Sequence, residues 1–300
     1  MTHEYSEIEN NEAATVNSVP QVYMGTDTSN ERVLLDVTRT NPVLVKGFAT
    51  PIFSYLKNVL GYVDSDGGDF NLDVRVLCVT PDMWFPEDGV LYQTYNDAKS
   101  LISQLSGECA EDIRIDGQGT MAALVLHSIL TLDIEPEDKK ELVIATLSSL
   151  GSMEAINKVI PTISGETEID MDEVEKVIDV LLDYTQVPTR REKVSHPGRR
   201  WFSHFDKITR MISESDRSKV KGKMLVISDL TALEKSLEGN VLDFLFLLTH
   251  GKYAGLLVMA ALPDFRDLEL DVRSLFGDRV SVYPRKITYC DSREEFPLSI

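Results

Sequence analysis

Apolar residues in this 300-residue chain come in short runs separated by clusters of Gly, Pro, Asn and Asp, and the spacing inside the runs changes along the chain. Residues 1–30 are polar, acidic and aperiodic, which predicts a disordered leader. Residues 31–133 predict a small α/β region. Its first strand is 42–49, followed by an amphipathic helix at 51–63, a buried strand at 72–80 and a helix at 95–105. Two strand-like runs within 112–128 flank the turn residues "DGQG" and predict a hairpin. Residues 134–212 predict helices at 135–151, 152–165 and 170–187. The third sets Val174, Val177, Ile178, Leu181 and Leu182 on one face, with Asp170 or Asp172 as N-cap. After Pro188, runs at 189–194 and 199–205 are joined by "SHPG". Residues 213–300 return to alternation: strand 223–230, helix 237–251, strand 254–262, short helix 270–277 and strand 278–284. The expected fold class is α/β, with a small α/β layer, a central helical region and a C-terminal α/β region.

Composition narrows the function classes. No apolar run is long enough to cross a bilayer, and the first residues lack a signal peptide's pattern, so a cytoplasmic protein without membrane contact is expected. Cys78, Cys109 and Cys290 form no CxxC pair, which argues against a disulfide framework or zinc module, and Cys78 reads as a small core residue. The net charge of −19 is similar to that of proteins from salt-loving archaea. Charge is nevertheless uneven. Between residues 189 and 223, eleven Lys and Arg face four acids, a local +7 that leaves −26 on the remainder. Such a patch is the footprint of a phosphate-binding surface, or else it pairs with the acidic bulk.

Three helices followed by a two-stranded hairpin is the order of a winged helix. Residues 134–212 thus resemble the winged-helix domains of archaeal transcription regulators, with 171–186 in the place of the recognition helix and 190–205 in that of the wing. The whole layout is loosely similar to TrmB-like regulators, in which an α/β sensor accompanies a winged helix. One departure stands out: Asp170, Asp172, Glu173, Glu175, Asp179 and Asp183 surround a single Lys176 on the expected recognition helix. The resemblance therefore implies contacts with double-stranded DNA through the wing residues Arg190, Arg191, Lys193, Arg199 and Arg200, with His196 and Trp201 secondary.

Two enzyme families are weighed against this reading. Asp229, at the end of "MLVISD", resembles the acidic residue that ends the metal-holding strand of RecA-like ATPases. No GxxxxGK[ST] occurs, and "VKGFATP" is no phosphate loop, so such a relative would be degenerate. "KGKMLVISD" is similar to the HxKxxxxD motif of phospholipase-D-like proteins, except that Lys221 stands in place of the histidine and Ser228 in place of the aspartate.

Other candidates carry less. His127, at the end of an expected strand, and His250, at the end of an expected helix, read as structural histidines. "DSDGGD" offers Asp64, Asp66 and Asp69, but the bidentate glutamate of a calcium loop falls on Arg75, so the stretch reads as a turn. No GxSxG elbow marks a hydrolase. The expectation is thus a non-enzymatic, DNA-binding transcription regulator without cofactor or metal, assembling as a homo-oligomer or with a protein partner. The alternative is a catalytically silent RecA-like or phospholipase-D-like interaction module, its two α/β regions forming one composite sheet with the basic helical centre inserted; in its enzyme-class version Asp229 would lie near the metal of a bound nucleotide.

Overall fold

The computed structural model describes residues 21–37, 39–65, 72–78, 92–95, 97–151, 221–237, 241–264, 268, 270–291 and 295–299. The fold is α/β. A hairpin of β1 (Gln21–Thr26) and β2 (Arg32–Asp36) accompanies a sheet of eight strands. These are β3 (Val43–Gly47), β4 (Leu72–Leu77), β5 (Tyr92–Tyr95), β6 (Gly222–Ile227), β7 (Leu256–Pro263), β8 (Asp278–Tyr283), β9 (Lys286–Cys290) and β10 (Glu295–Leu298). Their spatial order is β10-β9-β8-β3-β7-β6-β4-β5. Strands β8 to β5 in that order run parallel, and β9 and β10 add an antiparallel margin.

The two α/β regions of the sequence interleave in this one sheet: β3 lies between β7 and β8, and β4 pairs with β6. Strands β6 and β7 are buried at every position, which is why "GKMLVI" and "LLVMAALP" read as continuous runs rather than alternating ones. Successive residues still point to opposite faces. Leu225 and Ile227, with Val258 and Ala260, face a helical layer; Met224 and Val226, with Leu257 and Met259, face the other side.

The helical layer holds α2 (Ala98–Asp112), α3 (Gly117–Thr131), α4 (Pro136–Ser148), α5 (Leu230–Ser236) and α6 (Val241–His250). The opposite face is covered by α1 (Ala49–Ser65) and the β1–β2 hairpin. Tyr55, wholly buried on α1, donates its hydroxyl hydrogen to the Met24 carbonyl of the hairpin at 3.3 Å. Ion pairs fix α2 to the sheet: Arg75 on β4 meets both carboxylate oxygens of Glu108 and also Asp73, and Lys223 on β6 meets Asp112. Cys109, buried beside them, has its thiol pushed up to about 12 by burial and is inert packing.

Several expectations change here. The hairpin expected within 112–128 is helix: α3 runs through "DGQG" into an apolar stretch buried at Met121–Leu126, Ile129 and Leu130. A helix buried nearly all round loses its 3.6-residue stripe and looks like a strand in sequence. His127 is consequently on a helix. The strand β1 lies inside the stretch expected to be a disordered leader. Residues 135–151, expected to open a winged helix, form α4, which packs on α3 and α6 inside the helical layer. The expected short helix at 270–277 is a 3₁₀ turn at Val272–Leu275. No helix among the described residues is long and apolar enough to cross a membrane.

At the amino ends of the parallel strands, Asp278 is 5% exposed and accepts the Tyr289 hydroxyl hydrogen at 2.9 Å. Burial raises its pKa above the usual carboxylate range, against the opposing hydrogen bonds from Tyr289 and Asn41. A carboxyl that binds its proton more readily folded than unfolded penalises the fold once both states are ionised, and that penalty disappears below the unfolded pKa of about 4. Asp278→Asn keeps an acceptor for Tyr289. It is expected to raise the melting temperature at pH 7 relative to the parent protein and to lose this advantage at pH 3.5, as followed by thermal unfolding at the two pH values.

Candidate functional site at the carboxyl edge of the sheet

Parallel α/β sheets place ligands beyond the carboxyl ends of their strands, where successive connections leave toward opposite faces. Here that point lies between β3 and β7. The chain leaves β3 through α1, on one face, to reach β4. It leaves β7 through the 3₁₀ turn Val272–Leu275, which packs on the other face, to reach β8. The carboxyl ends of β3, β7 and β6 bring together Gly47, Phe48 and Ala49; Pro263 and Asp264; and Ser228, Asp229 and Thr231.

The β3–α1 turn is shaped by Gly47. Its φ is +150°, and a Cβ there would stand 2.0 Å from the Val282 carbonyl oxygen of β8, so no side chain fits. Asp264, which follows β7, has a left-handed φ of 58° and donates its N–H to the Gly47 carbonyl at 2.7 Å. Its Oδ1 accepts the Ala49 N–H at the start of α1, at 3.3 Å. The chain's own carboxylate thus meets the helix end where a phosphate docks in related architectures. With one glycine and with Lys46 before it on β3 rather than after it, "KGFATP" does not fit a phosphate cradle.

The end of β6 is organised differently. Asp229 is wholly buried, and its Oδ1 accepts N–H bonds from Thr231 at 2.9 Å and Ala232 at 3.2 Å, which starts α5. Ser228 is equally buried, and its N–H bonds the Leu77 carbonyl at the end of β4. Thr231 is 8% exposed, yet its hydroxyl has no hydrogen-bond partner. No group of three His, Cys, Asp or Glu side chains that could hold a metal ion occurs among the described residues. A cation held here would draw most of its ligands from water or from a bound ligand.

The other sequence candidates divide cleanly. Asp229 and Ser228 are at the edge just described, while Lys221 precedes β6 at its opposite end. Arg75 is an ion-pair residue of β4. His250 is buried at the end of α6, with its Nδ1 2.8 Å from the Thr249 hydroxyl and its ring stacked on Phe246; burial pushes its pKa down to about 3, so it stays neutral. Arg190, Arg191, Lys193, His196, Arg199, Arg200 and Trp201, with the expected recognition helix, lie outside the described residues, as do Asp66 and Asp69. Sequence reasoning missed Asp264 and Thr231. A lone Asp after an apolar strand and a Thr in a helix's first turn carry no signal until the strands are placed side by side.

No protein-family model and no curated protein matches the chain. Solved structures do resemble it. The conjugation coupling protein TcpA of pCW3, in monomer form with ATPγS, aligns with 94% of this chain at 11% identity and a TM-score of 0.47, and the chain spans 65% of that protein, less than two thirds. The cytoplasmic domain of the type VII secretion ATPase EccC from Thermomonospora curvata aligns at 9% identity and a TM-score of 0.39, with 94% and 27% of the two chains covered. VirB4 of Thermoanaerobacter pseudethanolicus aligns at 11% identity and a TM-score of 0.36, covering 94% and 96%.

These are conjugation and secretion proteins, ATPases among them, rather than winged-helix regulators. They correct the expected resemblance to archaeal regulators and with it the reading of a non-enzymatic transcription regulator partnered by duplex DNA. The alternative of a silent RecA-like or phospholipase-D-like interaction module is corrected with them. The physical origin of the error is α4: a helix with clear start and stop signals, followed by further helical periodicity, suits a small separate domain as well as a layer on a sheet.

The closeness of Gly47 to β8 is directly testable. Gly47→Ala is expected to lower stability by at least about 2 kcal/mol, through steric conflict with backbone and an unfavourable φ, as read from urea unfolding midpoints at unchanged m-value.

Proposed function

We propose that the carboxyl edge of the sheet binds a nucleoside triphosphate together with magnesium, with Asp229 as the carboxylate on the metal side. The observation that carries this reading is a wholly buried aspartate at the end of a central parallel strand, one strand away from the β3–β7 switch point. An aspartate without exposed surface is an unusual occupant of a sheet core, and a buried carboxylate normally has a bound cation or a full set of hydrogen bonds. Two backbone N–H bonds go to its Oδ1. A hard cation suits an oxygen donor of this kind, and magnesium completes its shell with water and phosphate oxygens.

The β3–α1 turn takes no part in this reading, because Asp264 meets the amide of Ala49. The phosphates reach the edge through the cation rather than through a glycine-rich loop. Such a site belongs in the cytoplasm, where magnesium and nucleoside triphosphates are abundant.

Isothermal titration of the full chain with ATP tests the proposal. Binding is expected in the presence of magnesium, with loss of at least tenfold in affinity in Asp229→Asn, a variant that keeps an acceptor for the Thr231 and Ala232 amides. Equal affinity in the variant, or heat-silent titrations of the parent protein, sinks the proposal. The same samples, followed for released inorganic phosphate, report whether the bound nucleotide turns over.

A further inference from the structure

We infer that Phe48 and Tyr283, at the carboxyl ends of β3 and β8, form the stacking platform for the base of the bound nucleoside triphosphate; this deepens the nucleotide reading above and rests on it. Strand register puts the two residues side by side. Gly47 pairs with Val282, so Phe48 and Tyr283 are the next residues on neighbouring parallel strands. Both are open to solvent, Phe48 at 50% and Tyr283 at 40% exposure. Single exposed apolar residues are ordinary, and Leu34 and Ile144 are examples. Two aromatic residues at adjoining strand ends, on the edge where ligands meet a parallel sheet, make the kind of patch that marks a binding site.

The backbone of Phe48 is held from both sides. The Gly47 carbonyl accepts the Asp264 N–H at 2.7 Å, and the Ala49 N–H is donated to Asp264 Oδ1 at 3.3 Å, so both peptide units that contain Phe48 are tied to one residue. Asp264 itself has a left-handed φ of 58°, and Gly47 has no room for a side chain against β8. Strain of this kind persists where the surroundings over-determine it, and it clusters at ligand sites. What it holds in place here is an aromatic residue that faces solvent beside a second one. Fixing such a residue in advance lowers the cost of binding.

A nucleobase matches this surface. Its flat face stacks on aromatic side chains, and its edge carries acceptor atoms. The β8–β9 turn, which follows Tyr283, adds the exposed donors Arg285 and Lys286. The other end of the nucleotide also has its place: β3 and β6 are two strand spacings apart, about 10 Å, which the ribose and phosphate chain bridge toward Asp229. The β3–α1 turn, which offers phosphates no cradle, thus meets the base.

The test is isothermal titration in magnesium with two probes, ATP and inorganic triphosphate, on the parent chain, Phe48→Ala, Tyr283→Ala and Phe48→Tyr. The parent is expected to bind ATP more tightly than triphosphate. Each alanine variant is expected to bind ATP about 5- to 150-fold more weakly, the range for losing one base–aromatic stack, and to bind triphosphate as the parent does. Phe48→Tyr keeps a ring and is expected to match the parent on both probes. Unchanged ATP affinity in either alanine variant, or a parent that binds ATP no more tightly than triphosphate, overturns the inference and leaves the nucleotide site standing. Equal loss of ATP and triphosphate also overturns it, because the rings then serve the fold or the phosphates. So does self-association of the parent, followed by sedimentation velocity, that either alanine change abolishes, since the patch then seats a second copy. A parent that binds neither probe overturns both the inference and the nucleotide reading.

Discussion

Burial of β6 and β7 on both faces is the constraint from which the rest of the structure follows. A strand without a solvent face cannot alternate apolar and polar residues, so its whole length must be covered by helices on one side and by helix or hairpin on the other. The helical layer of α2 to α6 meets one half of that requirement, and α1 with the β1–β2 hairpin the other. The layers are unequal. Among the described residues, five helices stand on one face, and one helix with the hairpin on the other.

The same geometry explains where chemistry is possible. Side chains within the central strands are committed to packing, so polar groups collect where the strands end. At the amino ends they form a satisfied cluster around Asp278 and Tyr289, with Lys252 bonded to Asn41 nearby. At the carboxyl ends satisfaction is partial: Asp264 is engaged with the β3–α1 turn and Asp229 with the start of α5, while the Thr231 hydroxyl is left without a partner. The buried Asp229 at the carboxyl edge is the physical content of the functional proposal.

Charge adds a second layer of meaning. Arg75 and Lys223, both 8% exposed, are cations on neighbouring strands beneath α2, and each is met by a carboxylate of that helix. The cations are buried while Glu108 and Asp112 reach solvent, so removing either carboxylate would strand a buried positive charge, and the pairs thereby help fix α2 on the sheet. Part of the acidity that dominates the composition is thus structural. It answers cations that a simple count of net charge hides.

The sequence by itself determined most of the elements: β3, α1, β4, α2, α4, β6, α6, β7 and β8 each fall within or beside an expected run, because apolar periodicity is local and survives without knowledge of the fold. It failed where local pattern is ambiguous. Buried nearly all round, α3 lost the stripe that distinguishes a helix, and α4, followed by more helical periodicity, suited a separate winged domain as well as a layer. Asp229 was legible because an acid ending an apolar strand is conspicuous. Asp264 and Thr231 were not, because their meaning depends on which strand ends lie side by side. Only tertiary structure decided that regions more than 140 residues apart share one sheet, since strand order is set by long-range pairing, and that pairing leaves no trace in any single segment.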